Sequence, residues 1–329
     1  MPAGGNRTDQ IGRRLKLREL EVFIAVVRRG SMARAATDLG ITQPSVSEIM
    51  TNLEHATGVR LLERGPRGVS PTAYGEILLR GGNAAIDDLR QSIREMQFLA
   101  DPGVGDVRIG CPETVATLLP PIIKRLSRKH PRILVHVSDV VAPTLDLPQL
   151  RDRSLDLALV RYGGPIGRHP FTDDLGVEVL FNDELVVVAG RKSRWARDRK
   201  IDLAKLSGAQ WILPPLETSN SRTVFEAFRE CGLGAPKVML VTFSQHLRIS
   251  MLADANTVTV LPRSVINLGA NRSTVKALPI KLPKHDFPLA IVTAKRRVPN
   301  PAAQLLIAHL REGLRSYAAS LNDTRGGYR

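Results

Sequence analysis

Apolar residues recur along the first hundred positions with a helical period, and glycines punctuate them. In "LRELEVFIAVVRRG", Leu17, Leu20, Phe23, Ile24 and Val27 share one face and Gly30 ends the run. Ser31 has the chemistry of an N-cap for "MARAATDLG". Ala35 and Ala36 there are small enough to let another helix cross closely, and Gly40 can take the left-handed backbone of a tight turn. Thr42 is the next cap. The helix it opens carries Pro44 in its first turn, where a missing N–H costs nothing, and runs to Gly58. Two short helices joined by a glycine turn predict a helix-turn-helix. In the second of them Val46, Ile49, Leu53 and Ala56 face the core. Pro44, Ser47, Glu48, Thr51 and His55 point away, with Gln43 flanking the outward face.

After Gly58, "VRLLERGPRGVSPT" has the short apolar pairs and Gly/Pro turns of a β-hairpin, so a wing beside the helices is expected. Thr72 can cap a long helix over 73–100. In it Ile86, Leu89, Ile93, Met96 and Ala100 step by 3 and 4, the seam of a short coiled coil, which predicts a dimerisation helix. Gly81 and Gly82 mark a close packing point or a bend. "DPGVG" at 101–105 reads as a hinge. Beyond it, strands such as "DVRIGC", "RILVHVSD", "LDLALV", "ELVVVAG", "QWILP", "KVMLVT", "TVTVLP" and "LAIVTA" alternate with helices. That pattern predicts largely parallel sheets covered on both faces, over a length that suits two α/β lobes.

Composition changes this picture in one respect. The formal net charge of +15 over 329 residues points to polyanionic partners, nucleic acid or an anionic surface. The basicity is spread, since residues 1–72 hold 11 basic against 7 acidic side chains. Yet "GITQPSVSEIMTNLE", the helix with the geometry of a groove reader, contains no Lys or Arg. No stretch approaches the roughly 20 apolar residues of a membrane helix, and the N-terminus has no signal-peptide run, so a cytoplasmic location is expected. Cys111 and Cys231 are too few for a disulfide scaffold, and the seven histidines lack ligand spacing. No Walker A, "HExxH", "GxSxG" or dinucleotide fingerprint occurs, so no catalysis, cofactor or metal is expected.

The segment "GSMARAATDLGITQPSVSEIMTNLEHATGVRLLERGPRGVSPTAYG" resembles the N-terminal domain of LysR-type transcriptional regulators. Ser31, Ala35, Ala36, Leu39, the run Thr42 to Ser47, Ile49, Leu53, Glu54, Gly58, Leu61 and Arg64 fall where that family places them. Leu62 stands where phenylalanine is usual, and Glu48 where a basic or polar residue is common. "VRIG", "RSLDLALV" and "VTVLP" match the family's effector domain in layout. The resemblance implies an α+β multidomain chain. Residues 1–14 form a flexible N-terminus, 15–72 a winged helix-turn-helix, 73–100 a linker helix, 101–105 a hinge, and 106–320 a two-lobed α/β effector domain like type 2 periplasmic binding proteins. Lobe I is expected over about 106–162 and 266–320, and lobe II over about 163–265.

Double-stranded promoter DNA is then the implied partner, held by a homodimer formed through the linker helix and assembling further to a tetramer. Gln43 can pair bidentately with adenine, Pro44 can pack on a thymine methyl, Glu48 can accept from cytosine N4, and Ser45 and Ser47 can serve bases or phosphates. Ser31, Thr42, Arg34, Arg64 and Arg67, with Arg60, complete the set, the arginines addressing phosphates. In the effector domain Thr114 matches a position at which the family holds an effector carboxylate. Thr218, Ser219 and Asn220 open one helix, and Ser244 and Gln245 another. Three polar helix starts favour a small organic or aromatic acid as inducer, although each also reads as an ordinary N-cap and Glu113 argues mildly against an anionic pocket. Arg161, ending "LDLALV", is either a ligand contact or a structural ion pair. "RKSRWARDRK" at 191–200 reads as a solvated basic loop. Two other functions stay open: a redox-responsive regulator using Cys111 and Cys231, and a cytosolic small-molecule-binding protein without catalysis.

Overall fold

The computed structural model describes residues 15–65, 68–101, 103–140, 146–162, 173–198, 200–268, 273–295 and 297–325. The chain divides into two compact units, residues 1–96 and 97–329. In the first, helices α1 (Leu17–Arg29), α2 (Met32–Leu39) and α3 (Gln43–Thr57) precede strands β1 (Leu62–Gly65) and β2 (Gly68–Pro71) and the long helix α4 (Ala73–Ala100). The punctuation behaves as its chemistry dictates. Gly30, Gly40 and Gly58 end the three helices in the left-handed region, and Ser31 and Thr42 accept from the N–H three residues on. Fully buried Phe23, Val26, Ala35, Val46 and Leu53 form the centre of the core. Met50 is buried in α3 whereas Ala56 is only half-buried, so the inward stripe runs through 46, 50 and 53, with Ile49 at its margin.

The wing is a two-stranded antiparallel hairpin with Leu62 opposite Pro71 and Gly65 opposite Gly68. Two tight backbone approaches fix it. Val69 donates to the Gly30 carbonyl at 2.9 Å, and a Cβ at Gly75 would lie 2.2 Å from the Leu61 carbonyl oxygen. Thr72 caps α4 by accepting from Gly75 N at 3.1 Å, and donates to the Arg60 carbonyl at 2.8 Å. Gly82 is the close packing point, facing Leu20 and Ile24 of α1. Ile86, expected on the coiled-coil seam, is instead buried in this core. Leu89, Ile93, Met96 and Leu99 are exposed.

The second unit begins with strand β3 (Val104–Cys111), which includes Val104 and Gly105 of the expected hinge. In chain order follow α5 (Glu113–Ala116), α6 (Pro120–Lys129), β4 (Arg132–Asp139), α7 (Pro148–Arg151), β5 (Leu157–Arg161), β6 (Leu175–Asn182), β7 (Leu185–Gly190), α8 (Arg194–Arg197), β8 (Gln210–Leu213), α9 (Ser219–Glu230), β9 (Lys237–Val241), α10 (Gln245–Met251), β10 (Thr257–Pro262), α11 (Arg263–Leu268), β11 (Val275–Ala277), β12 (Pro288–Ala294) and α12 (Pro301–Arg325). The helix expected over "VATLLPPIIKRLSRKH" is broken into α5 and α6, because Pro120 and Pro121 fit only a first turn.

These strands form two five-stranded sheets, ordered β4-β3-β5-β12-β6 and β11-β7-β10-β8-β9. Both are mixed. Four strands of each share one direction and one is reversed, β12 in the first sheet and β7 in the second, so three neighbours pair parallel while β6 and β11 attach antiparallel through the reversed strand. The reason is connectivity. The chain passes between sheets along 182–185 and again along 277–288, so β6 lies in the first sheet and β11 in the second. The expected lobe boundaries assigned both the other way. Each sheet is apolar on both faces. Val107, Ile109 and Leu159 pack with Ile122 and Leu126 of α6 and Leu306 and Leu310 of α12, while Trp211, Phe228 and Val258 centre the second lobe.

Candidate DNA-binding face and effector site

The outward face of α3 is polar and solvent-facing. Gln43, Pro44, Glu48, Thr51 and His55 are exposed, and Ser45 and Ser47 half-buried. Thr42 and Ser45 hydroxyls lie 2.9 Å apart, so the capping bond also orients Ser45. Ser31 spends its hydroxyl on the Arg34 N–H at 3.4 Å, which makes it a cap first. The Arg34, Arg60 and Arg64 side chains are exposed, whereas Arg67 lies outside the described residues. Glu48 is an exposed carboxylate with no ion-pair partner among the described residues. One positioning residue had no role in the sequence reading. Glu54, on α3, accepts from Leu61 N at 2.7 Å and Leu62 N at 3.2 Å, and so ties the reading helix to the start of the wing. A carboxylate in the last turns of a helix, eight residues before a strand, is a faint signal, and only the fold turns those N–H groups toward it.

In the second unit the candidates separate into three places. Ser219 and Asn220, at the start of α9, line an open groove of about 1040 Å³, together with Arg222, Lys281, Lys284 and both passages between the sheets. The acids of this groove are engaged: Asp183 with Arg161, Glu184 with Arg263, Glu226 with His285, and Asp286 with Asn182. Arg222, Lys281 and Lys284 form no ion pair among the described residues. Thr218 caps α9, accepting from Ser221 N at 3.4 Å and donating to the Pro215 carbonyl at 2.7 Å.

Arg161 resolves toward the structural alternative. Its side chain and that of Asp183 are 4% and 0% exposed. Nε and Nη2 reach Asp183 Oδ2 at 3.1 and 3.0 Å, and Nη2 donates to Ser264 Oγ at 2.6 Å. Burial pushes the Arg161 pKa down, against the pull of the Asp183 charge. The group joins the end of β5, the 182–185 passage and α11, a brace rather than a ligand contact.

The third place is the start of α10. Ser244 caps it, accepting from Leu247 N at 3.3 Å, and Gln245 is buried. Glu113, at the start of α5 beside half-buried Thr114, places one carboxylate oxygen on Gln245 N at 2.6 Å and the other on His246 N at 2.8 Å. Ser244 and Gln245 are not among the residues that line the groove at the start of α9. The two cysteines are free: Cys111 is buried, its thiol pushed up to about 12 by desolvation and then by Asp139, while Cys231 is exposed.

A winged helix-turn-helix and a two-lobed, mixed-sheet domain joined by a long helix define a class, the DNA-binding regulator with an effector domain. Family models match both parts: the bacterial regulatory helix-turn-helix protein, lysR family, over residues 17–76, and the LysR substrate binding domain over 100–315. The chain belongs to the LysR family of transcriptional regulators. It is 29% identical over 304 residues to the HTH-type transcriptional regulator GbpR of Azospirillum brasilense, covering 91% of this chain and 86% of that one. It is 28% identical to TdcA of Escherichia coli strain K12, covering 90% and 93%. Among solved structures it is similar in fold to full-length CbnR complexed with its target DNA, at TM-score 0.61 and 21% identity, covering 91% and 100%. A full-length OxyR variant from Pseudomonas aeruginosa gives TM-score 0.60 and 22% identity, covering 92% and 95%. No helix among the described residues is long and apolar enough to cross a membrane.

Proposed function

We propose that this chain binds promoter DNA in the cytoplasm as a homodimer, reads its site through α3, anchors through the wing, and changes its contacts when a small molecule binds its effector domain, without catalysing a reaction. The observation that carries this reading is the division of the first unit into a capped, exposed helix face without Lys or Arg and a separate set of exposed arginines. Base edges are read by hydrogen-bonding groups, and phosphates by charge. Gln43, Pro44, Ser45, Ser47 and Glu48 serve the first task. Arg34, Arg60, Arg64 and Arg67 serve the second, and Ser31 and Thr42 set the helix ends.

The exposed row Leu89, Ile93, Met96 and Leu99, 46–81% accessible along the second half of α4, supports pairing with α4 of a second copy, with a tetramer as the next assembly. The groove at the two passages supports an organic acid as inducer. Asp183 and Glu184 there are paired with arginines while Arg222, Lys281 and Lys284 form no ion pair among the described residues, and Ser219 and Asn220 add hydroxyl and amide donors. A ligand there touches the segments about which the lobes turn.

Fluorescence anisotropy with operator DNA over a salt series tests the first claim. Arg64→Ala weakens binding to all sequences and lowers the salt slope by about 0.9, the contribution of one phosphate contact. Gln43→Ala relaxes sequence preference instead. Wild-type binding independent of salt would sink the reading. A thermal-shift screen of organic and aromatic acids tests the second, since a ligand of the folded state raises its stability. Shifts from sugars or peroxide alone would overturn the acid.

A further inference from the structure

We infer that Glu113 is a built-in carboxylate that stands in for an effector's acid group at the start of α10, joining the two lobes in the ligand-free chain and keeping external carboxylates out of that seat. The inference rests on the reading of this unit as an effector domain and deepens it, because it fixes where an acidic inducer does not bind. The first N–H groups of a helix have no partner within it and need one from elsewhere. In α10 all three are taken by the chain: Gln245 N and His246 N by the two oxygens of Glu113, and Leu247 N by Ser244 Oγ. Glu113 lies 132 residues before Gln245 and belongs to the other lobe, so this is a contact between lobes and not a local cap.

A second observation shows that the place is built for an anion. Arg248, one turn into α10, is 2% exposed, and its Nη1 donates to the Val260 carbonyl at 3.1 Å. Its Nε is buried and makes no hydrogen bond among the described residues. Desolvation lowers the Arg248 pKa to about 10, with the Glu113 charge acting against it. A buried cation beside helix N–H groups is stable only with an anion nearby. Glu113 supplies one covalently, at an effective concentration no free acid matches. If Glu113 is removed, two N–H donors are left unpaired and buried Arg248 loses a nearby opposite charge, the vacancy a small carboxylate would fill.

The test uses the full-length chain and acetate, balanced against chloride at constant ionic strength. In the wild type the amides of Gln245 and His246 are expected to be protected from hydrogen exchange, and acetate to change neither that protection nor the melting temperature. In Glu113→Ala both fall, the amides exchanging about tenfold faster, as loss of one charge-assisted hydrogen bond implies. Acetate then restores both saturably, and chloride does not. Equal acetate responses in the two proteins, or amides as unprotected in the wild type as in the variant, would overturn the inference. Should Glu113→Ala fail to fold, Glu113→Gln keeps the shape and one acceptor, and unchanged protection there would overturn it equally. A wild type that no small molecule stabilises sinks the effector reading while leaving the exchange result standing. An unprotected α10 in a chain that still responds to an acid sinks only the role of Glu113.

Discussion

Replacing Asp183 by alanine is a severe single change in the second unit, and its size follows from the contacts. Asp183 Oδ2 receives Arg161 Nε at 3.1 Å, Arg161 Nη2 at 3.0 Å and Ser264 Oγ at 2.5 Å. Oδ1 receives Glu184 N at 2.9 Å and Ser264 N at 3.2 Å. Truncation strands a guanidinium whose Nη1 already has no hydrogen-bond partner, together with two backbone donors. Breaking a buried pair from one side costs about 3–5 kcal/mol. For a domain of this size each kcal/mol is worth about 2–4 °C, so a fall of roughly 10 °C is expected. Tryptophan fluorescence is a suitable probe, because Trp211 is fully buried in the second lobe and Trp195 half-buried beside it. The double variant Arg161→Met, Asp183→Leu removes both charges and should recover most of the loss, since apolar replacement of a whole buried pair is close to neutral. A fall under about 2 °C for Asp183→Ala would refute the reasoning, because a 1 kcal/mol effect belongs to a solvated pair. So would a double variant no more stable than the single one.

Other expectations follow from single contacts. Glu54→Ala frees Leu61 N and Leu62 N and should cost about 1–3 kcal/mol in the first unit, with DNA binding weakened more than by Glu54→Gln, which keeps an acceptor; equal binding by both variants counts against the anchoring role. Gly75→Ala forces a Cβ to 2.2 Å from the Leu61 carbonyl and should loosen the wing by about 1–3 kcal/mol, read by urea unfolding of the isolated transition, and a neutral result would show that α4 can shift. Thiol titration of the native protein near pH 8 should detect Cys231 quickly and Cys111 only after denaturation, since a thiol at about 12 carries almost no thiolate there; two fast thiols would reopen a redox role. Glu178, held below the ordinary carboxylate range by its hydrogen bonds to Arg311 at 2.7–3.1 Å, contributes stability that is present above that range and lost as pH falls through the folded value. Arg311→Met should flatten that part of the acid limb, and an unchanged limb would place the loss elsewhere.

By itself the sequence determined the helix-turn-helix, the glycine stops, the serine and threonine caps, the wing, the long helix and the existence of two α/β lobes. Those features are local. A cap acts within three residues, a glycine at its own φ, and an apolar stripe within one helix, so each leaves a readable mark in a short window. Tertiary structure alone decided which sheet β6 and β11 join, that Ile86 belongs to the core while Leu89 and Ile93 stay on the surface, and that Arg161 is spent on Asp183. It also decided that Glu54 holds the wing and that Glu113 reaches a helix start in the other lobe. All of these are pairings across long stretches of chain. They depend on where the backbone brings two groups together, and a carboxylate in a sequence shows its charge but not the N–H it will meet.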